Sequence, residues 1–136
     1  MDLQNFVARL VEVTNAHDLD AIVACFHDDY VLTNPCHRSR EFVGTDQVRR
    51  NWTGIFAAVP DLRVEVLSSS AEGDRVWSEW EMRGTRTDGG IHLMRGVIVF
   101  EVTEGRARSA RFFVEPVDAD ATTADEAVAH LTGTGP

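Results

Sequence analysis

The chain has 136 residues, with 13 basic against 22 acidic side chains and a formal charge of −9 at pH 7. All 13 bases are arginine, which excludes Schiff-base catalysis through a side-chain amine and a lysine phosphate cradle. The acidic balance argues against nucleic acid or an anionic membrane as partner, because both are held by surplus positive charge; small molecules or other proteins are left.

The length suits one folded domain over residues 1–117, followed by a tail over 118–136. No apolar run approaches the roughly 20 residues of a membrane span. The opening Met1-Asp2-Leu3-Gln4 lacks the basic-then-apolar order of a secretory signal, so a cytoplasmic location is expected. Cys25 and Cys36 have neither CxxC spacing nor a secretory context and are read as free thiols.

In chain order, Leu3, Phe6, Val7, Leu10 and Val13 recur at helical spacing after Asp2, a capping residue. A second short helix from Asp18 places Leu19, Ile22, Val23 and Phe26 on one face and stops before His27. Tyr30 to Thr33 reads as a short strand ended by Asn34-Pro35, since proline removes a ladder donor and restricts its predecessor. Thr45 is the expected cap of a third helix with Val48, Trp52, Ile55, Phe56 and Val59 inward and Pro60 as its stop. The period then changes to two. Leu62–Ser69, Arg75–Thr85, Ile91–Val102 and Arg106–Glu115 read as four antiparallel strands joined by Gly-containing turns. Thr123 and Glu126 form a capping-box pattern before a weak helix to Leu131, in a tail expected to be mobile.

Helices followed by a meander give an α+β fold with three N-terminal helices on one face of a curved, mainly antiparallel sheet. Alternation puts Val76, Ser78, Trp80 and Met82 of one strand, and His92, Met94, Gly96, Ile98 and Phe100 of the next, on the helix-facing side. Trp77, Val97, Val99 and Phe113 fall on the outer side, an apolar face for which a homodimer partner is the natural cover. Glu79 and Glu81 read as solvated outer-face charges.

The order of elements carries a resemblance, together with several phrases. These are Asn15-Ala16-His17-Asp18-Leu19-Asp20 leading to Phe26-His27-Asp28-Asp29, Asn34-Pro35, Gly44-Thr45-Asp46, Pro60-Asp61-Leu62, Arg83-Gly84-Thr85, and Arg95-Gly96-Val97 before Phe100. The chain thereby resembles the nuclear transport factor 2-like superfamily from about Phe6 to Glu115, specifically its SnoaL-like polyketide cyclase and ketosteroid isomerase branches. The resemblance implies a cone whose helices close over the concave sheet face and leave a pocket for a hydrophobic small molecule. Its catalytic positions are replaced here. The ketosteroid isomerase base falls on Asn34 and its oxyanion-hole residues near Leu10 and Ile98; the cyclase aspartate falls on Phe112. Of the limonene epoxide hydrolase set, Asn34 is kept, while the tyrosine falls on Leu32 and the relay on Trp80, Met82 and Phe112.

The inward set therefore centres on Trp52, Trp80, Met82, Met94, Ile98 and Phe112, with Ser78 beside them as a hydrogen-bonding group. Periodicity alone fits a packed core; the resemblance implies a pocket for a flat or polycyclic substrate. His92 is the one inward histidine and the candidate acid/base. Asn34 is the second catalytic candidate, stabilising charge or orienting water, although asparagine before proline is equally a strand terminator. His37, with Arg38 and Arg40, lies near the implied opening and is a candidate substrate contact. Glu115 would reach the pocket only if the strand register slipped by one. No HExxH or paired-histidine spacing points to a metal, and no cofactor is expected. The expected function is cofactor-free proton-transfer chemistry on a hydrophobic, polyketide-derived or other aromatic metabolite: cyclisation, dehydration, isomerisation or epoxide opening. The alternatives are a non-catalytic dimer that binds an apolar ligand in the same pocket, and an interaction protein using the outer sheet face.

Overall fold

A computed structural model describes residues 3–134. Three helices, α1 (Leu3–Asn15), α2 (Leu19–Val23) and α3 (Thr45–Ala58), are followed by the long strands β3 (Arg63–Glu72), β4 (Arg75–Thr85), β5 (Ile91–Thr103) and β6 (Arg106–Pro116). Between the helices run β1 (Phe26–Thr33) and the two-residue β2 (Phe42–Val43), and α4 (Ala124–Thr132) closes the chain. The sheet is six-stranded in the order β2-β1-β6-β5-β4-β3, curved and open at both edges. The cap expected from Asp2 lies outside the described residues.

The four meander strands and their alternation follow the sequence reading closely. Val76, Ser78, Trp80 and Met82 are all buried under the helices, with Ile98 and Phe100 opposite them on β5. The four-stranded antiparallel sheet is corrected to a mixed sheet of six. Strand β1 begins at Phe26, and it pairs parallel with β6 through Phe26↔Ala107 and Leu32↔Ala110. The helical spacing of Phe26 with Ile22 and Val23 is overridden because the chain leaves α2 at Ala24 and the Cys25 carbonyl accepts from Ala107 N–H at 2.8 Å. A five-residue helix has little cooperative support, whereas sheet pairing satisfies a row of backbone groups.

A second correction concerns α3, whose N-cap is Gly44 at φ +92 with no side-chain cap from Thr45. The turn from β2 demands a left-handed residue there, and Gly44 N–H donates to the Tyr30 carbonyl at 2.7 Å. In the tail, the capping box read from the sequence forms in part: Thr123 Oγ1 accepts from Glu126 N–H at 3.2 Å, while Glu126 Oε1 accepts from the Thr123 hydroxyl at 3.1 Å rather than from its backbone N–H.

The end of α1 fixes the helices to the sheet edge. Asn15 Nδ2 donates to the Val64 carbonyl at 3.0 Å, and its Oδ1 accepts from Val64 N–H at 2.7 Å. One side-chain amide thus stands in for a missing neighbouring strand on edge strand β3. His17, at φ +54, turns the chain back; its ring stacks on Phe56 with centroids 4.0 Å apart, and Nε2 donates to the Leu62 carbonyl at 2.8 Å. The two contacts tie the end of α1 to α3 and to the chain entering β3.

The outer face departs from its reading at two residues: Val99 is already buried within the single chain, and Glu81 is not solvated. Glu81 is 8% exposed, accepting from Arg83 at 3.1 Å and from Arg95 at 2.8 and 2.9 Å. Two guanidinium groups folded over one carboxylate remove it from water and satisfy its oxygens in the same step. Beside it, Trp77 and Phe113 remain 46% and 38% exposed, with the Arg111 guanidinium 5.8 Å from the Trp77 ring.

Candidate active site

Under the helices, the concave face is not closed by packing. A cavity of about 220 Å³ opens between α1, α3, β1 and the inner faces of β4, β5 and β6. Its depth is graded. Leu10, Phe26, Val48, Leu62, Trp80, Met82, Ile98 and Phe100 are buried and form the floor and lower walls, while Leu32, Phe42, Trp52, Ile55, Met94 and Phe112 are half-buried nearer the mouth. Side chains at helical spacing on α3 (Val48, Trp52, Ile55) face alternate strand residues across the gap, so two periodicities meet on one apolar surface.

Trp52, Trp80, Met82, Met94, Ile98, Phe112 and His92 all lie on this wall, together, where the alternation put them. Asn34, His37 and Ser78 do not. Asn34 sits one residue past the end of β1, where its carbonyl accepts from His37 N–H at 2.9 Å and its N–H donates to Glu41 Oε2 at 3.0 Å. These two backbone bonds close the turn that ends β1, and Asn34 is not among the residues of the wall. The Asn34 N–H, seconded by Arg38, holds the Glu41 carboxyl below its usual range. That clasp is therefore present above the ordinary carboxylate pKa and is lost as pH falls through the lowered value.

Ser78 is spent on structure: its hydroxyl donates to the Ile98 carbonyl at 2.7 Å and accepts from Trp80 Nε1 at 2.8 Å, which fixes the indole that faces the cavity. His37 turns outward, Nε2 lying 2.5 Å from Glu115 Oε1, and Arg38 pairs with Glu41 at 3.1 Å. The register Gly96↔Val114 and Arg95↔Glu115 has no slip, so Glu115 stays off the wall.

The histidines separate by their bonding. His17 and His27 are hydrogen-bonded to backbone carbonyls at 2.8 and 2.9 Å, and His37 to a carboxylate. His92, half-buried at the cavity mouth, has no hydrogen bond among the described residues, so its imidazole is free to meet a ligand. No carboxylate or thiol lines the wall. No cluster of three His, Cys, Asp or Glu side chains suited to a metal occurs among the described residues, nor any helix long and apolar enough to cross a membrane.

Three polar wall residues escape the sequence reading. Asn51, exposed at the mouth, accepts from Gln47 at 2.7 Å. Tyr30 is 2% exposed, and burial pushes its phenol well above the ordinary tyrosine range, so it stays a hydrogen-bond donor. Thr14 is 1% exposed and its hydroxyl has no partner, a loss that costs about 1–3 kcal/mol in the empty protein. The signal for Thr14 was present: it extends the α1 stripe of Val7 and Leu10 by one turn as a polar residue among apolar ones. Tyr30 alternates with Leu32 on β1, which is legible once the strand is begun early enough.

The graded cavity between helices and a curved open sheet defines a protein of the nuclear transport factor 2-like fold. Within that fold the chain belongs to the SnoaL-like domain family, whose model matches residues 7–110. Solved structures agree on the fold. IdmH from Streptomyces antibioticus, described as a candidate polyketide cyclase, superposes with a TM-score of 0.73 at 20% identity, over 85% of this chain and 93% of its own. AclR from Streptomyces galilaeus, described as a candidate hydroxylase, gives 0.75 at 22% identity, over 96% and 91%. A protein of unknown function from Burkholderia pseudomallei gives 0.69 at 19%, over 84% and 89%. No functionally curated protein matches the chain.

Proposed function

We propose that this protein is a small-molecule enzyme that takes a hydrophobic, aromatic or polyketide-derived metabolite into the cavity and moves a proton on it with His92. The observation that carries the reading is the free imidazole of His92 at the mouth of a largely apolar, carboxylate-free cavity. An apolar wall with two indoles binds a flat ring by area and stacking, and a few polar groups orient it. A base in such a site abstracts a proton from a carbon next to a carbonyl, the negative charge passes to the carbonyl oxygen, and the same imidazolium returns a proton to carbon or oxygen. Cyclisation, dehydration and isomerisation share that step, and the description of IdmH as a candidate polyketide cyclase is in keeping with it.

The reaction class is testable without the natural substrate. In D2O, the protein is expected to accelerate deuterium exchange at C2 of 1-tetralone over buffer, followed by proton NMR. Binding of the ketone without acceleration would instead support a ligand-carrying protein built on the same cavity.

We also propose that the outer face, with Trp77 and Phe113 partly exposed, is the interface of a homodimer. Light scattering at micromolar concentration should return twice the chain mass; a clean monomer would remove the proposal.

A further inference from the structure

We infer that the buried part of the cavity wall carries two polar points, the hydroxyls of Thr14 and Tyr30, either of which receives an oxygen atom of an otherwise apolar ring ligand. The inference rests on the reading of the cavity as a ligand site and names what that site selects.

The strongest observation is the behaviour of threonine in this chain's own helices. Thr53 of α3 donates back to the Arg49 carbonyl at 2.7 Å, and Thr132 of α4 donates back to the Val128 carbonyl at 2.7 Å. That four-residue back-bond is the ordinary way for a helical hydroxyl to satisfy itself. Thr14 of α1 has the same option and does not use it: its Oγ1 is buried, lines the cavity and has no hydrogen-bond partner. A valine of nearly the same shape would fill the position without that penalty. The hydroxyl is explained by a ligand atom that completes it.

Tyr30 points to the same chemistry independently. Strand β1 carries it on the cavity side, beside Leu32. Its hydroxyl makes no hydrogen bond to the described residues, although the ring is packed edge-on against Phe26 with centroids 4.6 Å apart. A buried phenol that remains protonated offers a donor, and a threonine hydroxyl is both donor and acceptor. Either matches a carbonyl oxygen or a ring hydroxyl and disfavours a methyl group in its place, since only an oxygen pairs with an unpartnered hydroxyl.

The full chain is titrated with 2-naphthol and with 2-methylnaphthalene, which differ by a hydroxyl against a methyl on the same ring. The expected result is at least fivefold tighter binding of 2-naphthol. At least one of Thr14→Val and Tyr30→Phe should cut that ratio threefold or more, while 2-methylnaphthalene affinity stays within twofold. Unliganded Thr14→Val should also melt above the parent, because its only polar loss is a hydroxyl that had no partner. Equal binding of the two compounds, or a ratio unmoved by both substitutions, overturns the two polar points and leaves the cavity reading standing. Failure of both compounds to bind overturns the cavity reading and this inference with it.

Discussion

Gly96→Ala is expected to lower the melting temperature by about 10 °C, the largest stability change of any single methyl addition among the glycines of the sheet. Gly96 sits mid-strand in β5, paired with Trp80 on one side and Val114 on the other, at φ +153. A Cβ built there lies 2.0 Å from the Phe113 carbonyl oxygen and 2.7 Å from Val114 Cα. Both neighbours are backbone, so no side chain can rotate away, and β5 must separate from β6 there. Overpacking and an unfavourable φ together cost about 3–4 kcal/mol. Gly54→Ala is the control. Gly54 lies inside α3 with nothing within 4 Å of a built Cβ, and the exchange should raise stability by about 0.5–1 kcal/mol. Calorimetry that found both variants within a degree or two of the parent would contradict the close-approach account.

The second large effect is on chemistry. His92→Gln should reduce proton exchange on 1-tetralone by about 10² to 10⁴-fold, the range removed with a positioned acid/base, while KM for the ketone changes little. Glutamine keeps much of the size and hydrogen-bonding capacity of the imidazole but cannot accept a proton at working pH. His92 is half-buried at the mouth and supports no hydrogen bond to the described residues, so the melting temperature should hold. Exchange within threefold of the parent would eliminate His92 as the base.

Much of this site was legible in the sequence because it is written in strand alternation. Trp80, Met82, Met94, Ile98 and His92 each follow from a period of two across a hairpin whose register is fixed by its turns. What failed was set by contacts between residues far apart in the chain. The parallel pairing of β1 with β6 joins residues some 80 positions apart and leaves no local mark, so Phe26 was assigned to a helix its spacing fits. Tyr30 was lost with it, being assigned to a strand too short to show its alternation. Asn34 and His37 were placed near the opening by resemblance, yet neither is among the residues of the wall. Glu81 looked solvated because nothing in a strand pattern shows two arginines folding over it. With no lysine in the chain and no carboxylate on the wall, His92 is the base proposed for the cavity.

The central claim is that ligands bind in the cavity between the helices and the concave sheet face. The three tryptophans report on it directly, since Trp52 and Trp80 line the cavity and Trp77 stands on the opposite face of the sheet. In a titration of 15N-labelled protein with 1-tetralone, the indole N–H signals of Trp52 and Trp80 should move together with a single dissociation constant while that of Trp77 stays in place. Movement of Trp77 alone, or no movement at Trp52 and Trp80 under saturating ketone, would contradict it.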